Sequence, residues 1–148
     1  MVHSSANVRI RLDYGTDGLE VDLPDERVTV IEPIARPAVP DPRATLLRAI
    51  RSPLDRAPLR DLVRTGQRVA ISVCDITRAQ PRIEMLQALF EEMPHVRPQD
   101  VTILIATGTH RVNTDQELER MLGREILGRY NVINHDSRNP STLARVGT

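Results

Sequence analysis

The sequence predicts an α/β fold: a Rossmann-like parallel sheet with flanking helices, preceded by an amino-terminal β-hairpin region. Three observations carry that expectation. From Gln67 onward, apolar strand-like runs alternate with segments of helical period, the order that builds a parallel sheet. Ahead of them, short runs alternate apolar and polar residues around an Asp-Gly turn signal, the mark of a hairpin. The three later apolar runs, 68–74, 101–106 and 130–134, each end in polar side chains: Asp75, Thr77 and Arg78; Thr107, Thr109, His110 and Arg111; His135 and Asp136. In open α/β sheets, ligands sit beyond the carboxyl ends of parallel strands, so such loops converge on one crevice.

The elements follow in order. Val8, Ile10 and Leu12 alternate with polar neighbours, as do Leu19, Val21 and Leu23, and Tyr14 to Gly18 forms the turn between them. A further strand is expected over 27–31, leading into a connector punctuated by Pro33, Pro37, Pro40 and Pro42. Short helices are expected over 43–51 and 58–65, the second stopped by Gly66. After the strand ending at Cys74, Pro81 suits a first helical position, and Ile83, Leu86, Phe90 and Met93 form a stripe before Pro94. After the second strand, Thr114 and Glu117 have capping-box spacing, with Leu118, Met121 and Leu122 on the apolar face. Right-handed helical crossovers are the expected connections. The organisation read from this is a hairpin region over 1–34, a Pro/Arg-rich connector over 35–66 and an α/β half over 67–148. Residues 141–148 read as the approach to another strand, so the sequence is expected to be a truncated part of a larger domain.

Composition sets limits on function. With 40% hydrophobic and 27% charged residues, the 148-residue chain can bury a real core. Its formal charge of zero removes the broad attraction that nucleic-acid binders use. Between Arg36 and Arg68, eight arginines face three acids, which reads as a solvated helix face. One Phe, two Tyr and no Trp leave no stacking platform for single strands. The chain has no lysine, so a Schiff base or a P-loop lysine is excluded within it. Cys74, the single cysteine, excludes an internal disulfide and a thiolate zinc cluster, and reads as a buried small hydrophobe. No signal-peptide pattern precedes Val8 and no apolar run reaches membrane-spanning length, so a cytoplasmic location without membrane partners is expected.

The strand-end loops each admit two readings. Asp75 could accept hydrogen bonds while Arg78 offers a planar fork to a carboxylate or phosphate, or Asp75 or Thr77 could simply cap the next helix with Arg78 solvated. Thr107 to His110 supplies a glycine for close backbone approach, two hydroxyls and an imidazole suited to base catalysis, against which stands a turn histidine without chemistry. Gly108 alone is no dinucleotide fingerprint. His135 and Asp136 could bond neighbouring backbone groups and nothing more. His3 and His95 receive no role, and no two histidines have the i, i+4 spacing of a helical metal site.

The run Asp75-Ile76-Thr77-Arg78, then Ala106-Thr107-Gly108-Thr109-His110-Arg111, then His135-Asp136, resembles the amino-terminal part of the nickel-dependent lactate racemase family. Tyr14-Gly15 and the strand ending in Leu23-Pro24 fit the same pattern. One departure is Ala79-Gln80-Pro81, where the family has proline directly after the arginine. The resemblance implies a 2-hydroxy-acid racemase or epimerase acting by proton-coupled hydride transfer to a nickel-pincer nucleotide derived from nicotinic acid mononucleotide. His110 matches one of the family's two bases, Arg78 the arginine that holds the substrate carboxylate, and Asp75 the acid that organises the site. Thr77, Thr107, Gly108 and Thr109 match its cofactor-facing segments. The second base, the lysine that carries the cofactor and the nickel-ligating histidine fall beyond Thr148 in the family, so this chain alone is expected to be inactive. Implied partners are lactate or a similar acid, the missing carboxy-terminal part and the cofactor-synthesis proteins.

Two rival readings remain: a phosphate- or nucleotide-binding module without catalysis, and a hydrolase using Asp75 and His110, for which no nucleophile elbow is present. If the strands at 69–74 and 101–106 are parallel neighbours, Asp75 and His110 should lie within about 10 Å of each other, one strand spacing plus side-chain reach.

Overall fold

The computed structural model describes residues 6–145. His3 and the last three residues of the expected terminal approach lie outside them. The chain divides into two compact units, 1–38 and 39–148.

In the first unit, β1 (Asn7–Leu12) and β2 (Leu19–Pro24) pair antiparallel, with Ile10 opposite Val21 and Leu12 opposite Leu19. The turn closes through Gly18 N–H to the Tyr14 carbonyl at 2.9 Å, with Gly18 at φ +74°. The strand expected over 27–31 is absent. Asp25–Arg27 forms a 3-10 turn, and Val28 is extended but joins no ladder among the described residues.

The second unit opens with α1 (Pro42–Arg51), whose first turn is held by Asp41 accepting from Ala44 N–H at 2.9 Å. The expected helix over 58–65 shrinks to the single turn α2 (Leu59–Leu62), and the chain turns extended at Val63 before Gly66. Three strands follow, β3 (Val69–Cys74), β4 (Val101–Ala106) and β5 (Asn131–Asn134), in spatial order β3-β4-β5 with both pairs parallel. The crossovers are α3 (Arg82–Glu92) and α4 (Asp115–Arg129). Thr114 and Glu117 close a full capping box on α4, and Gly123 at φ +76° kinks it.

Alternation along β4 sets the packing. Val101, Ile103 and Ile105 are buried; Thr102 and Leu104 are half-buried. Ile103 and Ile105 pack on Leu86 of α3 and on Met121, Leu122 and Ile126 of α4, so the predicted stripes meet one face of the sheet. Phe90 stacks on Tyr130 with centroids 4.0 Å apart.

The eight arginines between 36 and 68 are all exposed, as expected of a solvated face, and three of them also pair with acids of α3. Glu92 is fully buried and accepts from Arg51 Nε at 2.9 Å and Arg60 Nε at 3.2 Å, while Arg43 pairs with Glu91. These pairs pin α1 and the start of α2 against α3. Cys74 departs from the buried hydrophobe expected of it: it is exposed, because it falls on the sheet face turned away from the core.

Candidate active site

Parallel pairing sets Cys74 beside Ala106 at the end of the ladder, so the chain leaves β3 and β4 at the same edge. Asp75, the first residue past β3, is buried. Its Oδ1 accepts from Thr77 Oγ1 at 2.6 Å and Thr77 N–H at 3.1 Å, an Asx-type turn. Its Oδ2 lies 2.5 Å from His110 Nδ1. These bonds hold the Asp75 carboxyl at about 2, the Thr77 hydroxyl contributing most and His110 next, against the opposing effect of burial. A carboxylate can only accept, so Nδ1 donates to it, and Nε2 is the ring nitrogen left to face a reactant. His110 itself is about half exposed (46% for the side chain) and open to a reactant.

Of the alternative reading of the first loop, the helix cap fails on geometry, while a solvated Arg78 agrees with its exposure. Pro81 occupies the cap position of α3 without a side-chain cap, and the oxygens of Asp75 and Thr77 are engaged with each other and with His110. Arg78 is exposed, lines the same cleft, and has no hydrogen-bond or ionic partner for its guanidinium among the described residues. Neighbouring Arg111 differs: it forms a two-pronged pair with Glu117, both contacts at 2.8 Å.

The loop after β4 is shaped by backbone bonds. His110 N–H reaches the Thr107 carbonyl at 3.0 Å, and Gly108 at φ +59° takes the left-handed conformation between them. Thr107 is buried and donates its hydroxyl to the His135 carbonyl at 2.8 Å, tying this loop to β5. Thr109 is exposed at the rim. His135 and Asp136 follow β5 at the same edge; Asp136 accepts from Arg138 N–H at 3.0 Å, a local turn bond. His95, given no role, has Nε2 2.6 Å from the Val63 carbonyl, away from this edge.

Cys74, Asp75, Arg78, Thr107, Gly108, Thr109 and His110 line an open cleft of about 260 Å³. A larger hollow of about 400 Å³ lies at the opposite end of β4, beside Val101, Phe90 and Tyr130. It lacks the hydrogen-bonded acid and imidazole, so chemistry rather than size places the site.

Three residues that hold the site were not singled out in the sequence. Arg82 is buried and donates to the carbonyls of Cys74, Asp75 and Arg78. Asn113 is buried, accepts from Ile76 N–H at 3.2 Å and bonds Asn134, which in turn donates to the Asn113 carbonyl at 2.7 Å. Signals did exist: an arginine in the first turn of a helix opposes the helix dipole, and asparagine is a poor strand residue.

Fold and site together define a class, an α/β domain that carries an acid–imidazole pair at the carboxyl edge of a parallel sheet. Within that class, the family described as "Lactate racemase N-terminal domain" matches residues 14–148, and the chain belongs to it. It is 32% identical over 146 residues to a lactate racemase of Thermoanaerobacterium thermosaccharolyticum, covering 94% of this chain and 34% of that protein. A lactate racemase of Lactiplantibacillus plantarum is 28% identical over 104 residues, covering 70% of this chain and 24% of that protein. The chain therefore spans about a third, 34%, of the first relative and about a quarter, 24%, of the second. The solved lactate racemase apoprotein of T. thermosaccharolyticum superposes with a TM-score of 0.69 at 29% identity, over 95% of this chain and 33% of that one. A Thermotoga maritima protein shares the fold, with a TM-score of 0.51 at 24% identity over 69% of this chain and 22% of its own.

Proposed function

We propose that this chain forms one wall of the active site of a lactate-racemase-like 2-hydroxy-acid racemase or epimerase working by proton-coupled hydride transfer, in which this chain takes the hydroxyl proton and a cofactor held outside it would accept and return the hydride. The observation that carries the proposal is the 2.5 Å approach of His110 Nδ1 to Asp75 in a cleft also lined by Arg78. His110 takes the proton of the substrate hydroxyl at Nε2, because Nδ1 is engaged by Asp75. Asp75, its carboxyl held at about 2, stays ionised at neutral pH, fixes the ring's tautomer and stabilises the imidazolium that proton uptake creates. Arg78, with no partner for its guanidinium among the described residues, offers its planar fork to the substrate carboxylate. Thr77, Thr107, Gly108 and Thr109 form the cofactor-facing rim. Thr77 and Thr107 act there through the groups their hydroxyls already bond, while Thr109 is exposed.

The nickel-pincer nucleotide implied by the family resemblance does not fit the donors of this chain by themselves. There is no lysine to carry it. Among the described residues, no group of three or more His, Cys, Asp or Glu is placed to hold a metal ion. Its anchorage belongs to the part of the relatives that this chain does not span. The remaining partners are a small 2-hydroxy acid and the cofactor-synthesis proteins, in the cytoplasm; no helix among the described residues is long and apolar enough to cross a membrane.

A phosphate-binding module without chemistry has less support. The amino terminus of α4 is already filled by its capping box, and Glu117 puts a carboxylate beside the amides a phosphate would need. In the full-length protein carrying this chain, His110→Ala should lower kcat for lactate racemisation by roughly 10²-fold or more and leave KM near wild type. Near-normal turnover would remove His110 from the chemistry.

A further inference from the structure

Arg82 breaks two local rules at once. It places a cation in the first turn of α3, where the helix dipole disfavours positive charge. It also buries that cation to 7% exposure with no carboxylate in salt-bridge reach among the described residues. Buried charge is costly unless its donors are satisfied. Here backbone oxygens do this: Nε donates to the Cys74 carbonyl at 3.0 Å, and Nη2 donates to the carbonyls of Asp75 and, at 2.6 Å, Arg78. The three acceptors bracket the turn that carries Asp75 and Arg78. On the amide side, Asn113 holds Ile76 N–H at 3.2 Å.

We propose that Arg82 is a positioning residue for the acid–imidazole pair: its guanidinium clamps the turn 74–78 so that Asp75 meets His110 Nδ1 and Arg78 borders the same cleft. A planar fork can hold several carbonyls in one fixed arrangement; an ammonium is a point charge without that geometry. Without the clamp, three carbonyls lose a donor, the turn relaxes, and the Asp75–His110 contact loosens before the sheet does. The inference rests on reading His110 as the base, but its test reads geometry and not turnover.

The experiment is a long-range ¹H–¹⁵N spectrum of the His110 ring in the 148-residue chain, recorded over a pH series carried up to the neutral ring and compared there. It compares wild type with Arg82→Gln, Arg82→Lys and the core control Ile103→Val, which lies in β4 away from the turn. Wild type should show the Nδ1-protonated tautomer, and Asp75→Asn should alter that signal, which establishes the pair independently of any activity. Arg82→Gln should shift His110 toward the Nε2-protonated tautomer, and Arg82→Lys should fall between. Ile103→Val should keep the wild-type signature despite a lower Tm. Should the glutamine variant fail to fold, the lysine variant decides. A folded Arg82 variant with the wild-type tautomer signature would overturn the proposal, as would an equal change in Ile103→Val.

Discussion

Arg78 and Arg111 both follow strand ends, yet their surroundings give them different tasks. Arg111 is tied in two contacts to Glu117 and supports the start of α4, whereas the guanidinium of Arg78 stays unengaged at the cleft. Arg78→Lys in the full-length protein should therefore raise KM for the 2-hydroxy acid by about tenfold, with a smaller change in kcat, since a point charge cannot reproduce a two-pronged carboxylate contact. Steady-state kinetics on both lactate enantiomers would show it; an unchanged KM would take Arg78 out of substrate binding. Asp75 gives a pH prediction. Its folded pKa of about 2 lies below the ordinary carboxylate value, so its stabilisation is complete above that ordinary value and is lost as pH falls through about 2. Glu117, held at about 2 chiefly by Arg111, titrates in the same window, and so the informative comparison keeps it constant. Between about pH 4.5 and 2, Tm should fall less in Asp75→Asn than in wild type; equal falls would contradict the assignment. The candidates Asp75, Arg78, Thr107 and His110 were legible because they end apolar runs. Arg82 and Asn113 carried only the weak signal of a residue out of place, because what they do depends on where the carbonyls of 74, 75 and 78, the Ile76 amide and the Asn134 side chain come to lie in the fold.

At the level of elements, what the sequence revealed follows the range of the forces involved. The helices α3 and α4 are announced by local signals, the stripe from Ile83 to Phe90 and the Thr114–Glu117 box, whereas at α1 the Asp41 cap and Pro42 first turn were read as the end of the connector. The strand expected over 27–31 fails because a strand needs a neighbour, and a segment's own pattern cannot guarantee one. The arginine run is exposed as a solvated face should be, but the acids that Arg51 and Arg60 also reach lie on α3, far along the chain, where no local pattern shows them. Glu92→Gln should strand those arginines beside a buried neutral amide and lower Tm by roughly 5 °C or more, as read by thermal denaturation. No change would mean that the cluster is carried by packing alone. Thr114→Ala should cost about 1 kcal/mol through loss of the α4 cap, measured by urea unfolding. A cost indistinguishable from zero would show that packing of Met121 and Leu122 already fixes the helix start.

For the whole molecule, three parallel strands bring loops distant in sequence to one edge, and this turns separate motifs into a site. The chain matches about a third, 34%, of a lactate racemase and contains no lysine. Co-expressed with the cofactor-synthesis proteins, the 148-residue chain should show an unmodified mass by intact-protein mass spectrometry and no lactate racemisation. A covalent adduct on it would contradict the division of labour proposed here. The central claim is that Asp75 and His110 act as one unit at this edge. The most direct measurement is a double-mutant cycle on the kcat for lactate racemisation proposed for the full-length protein carrying this chain, using Asp75→Asn, His110→Ala and their combination. Residues that work as a unit are strongly non-additive, so the double variant should be no slower than His110→Ala alone. Two losses that simply multiply would show that the pair in the cleft is not the catalytic pair.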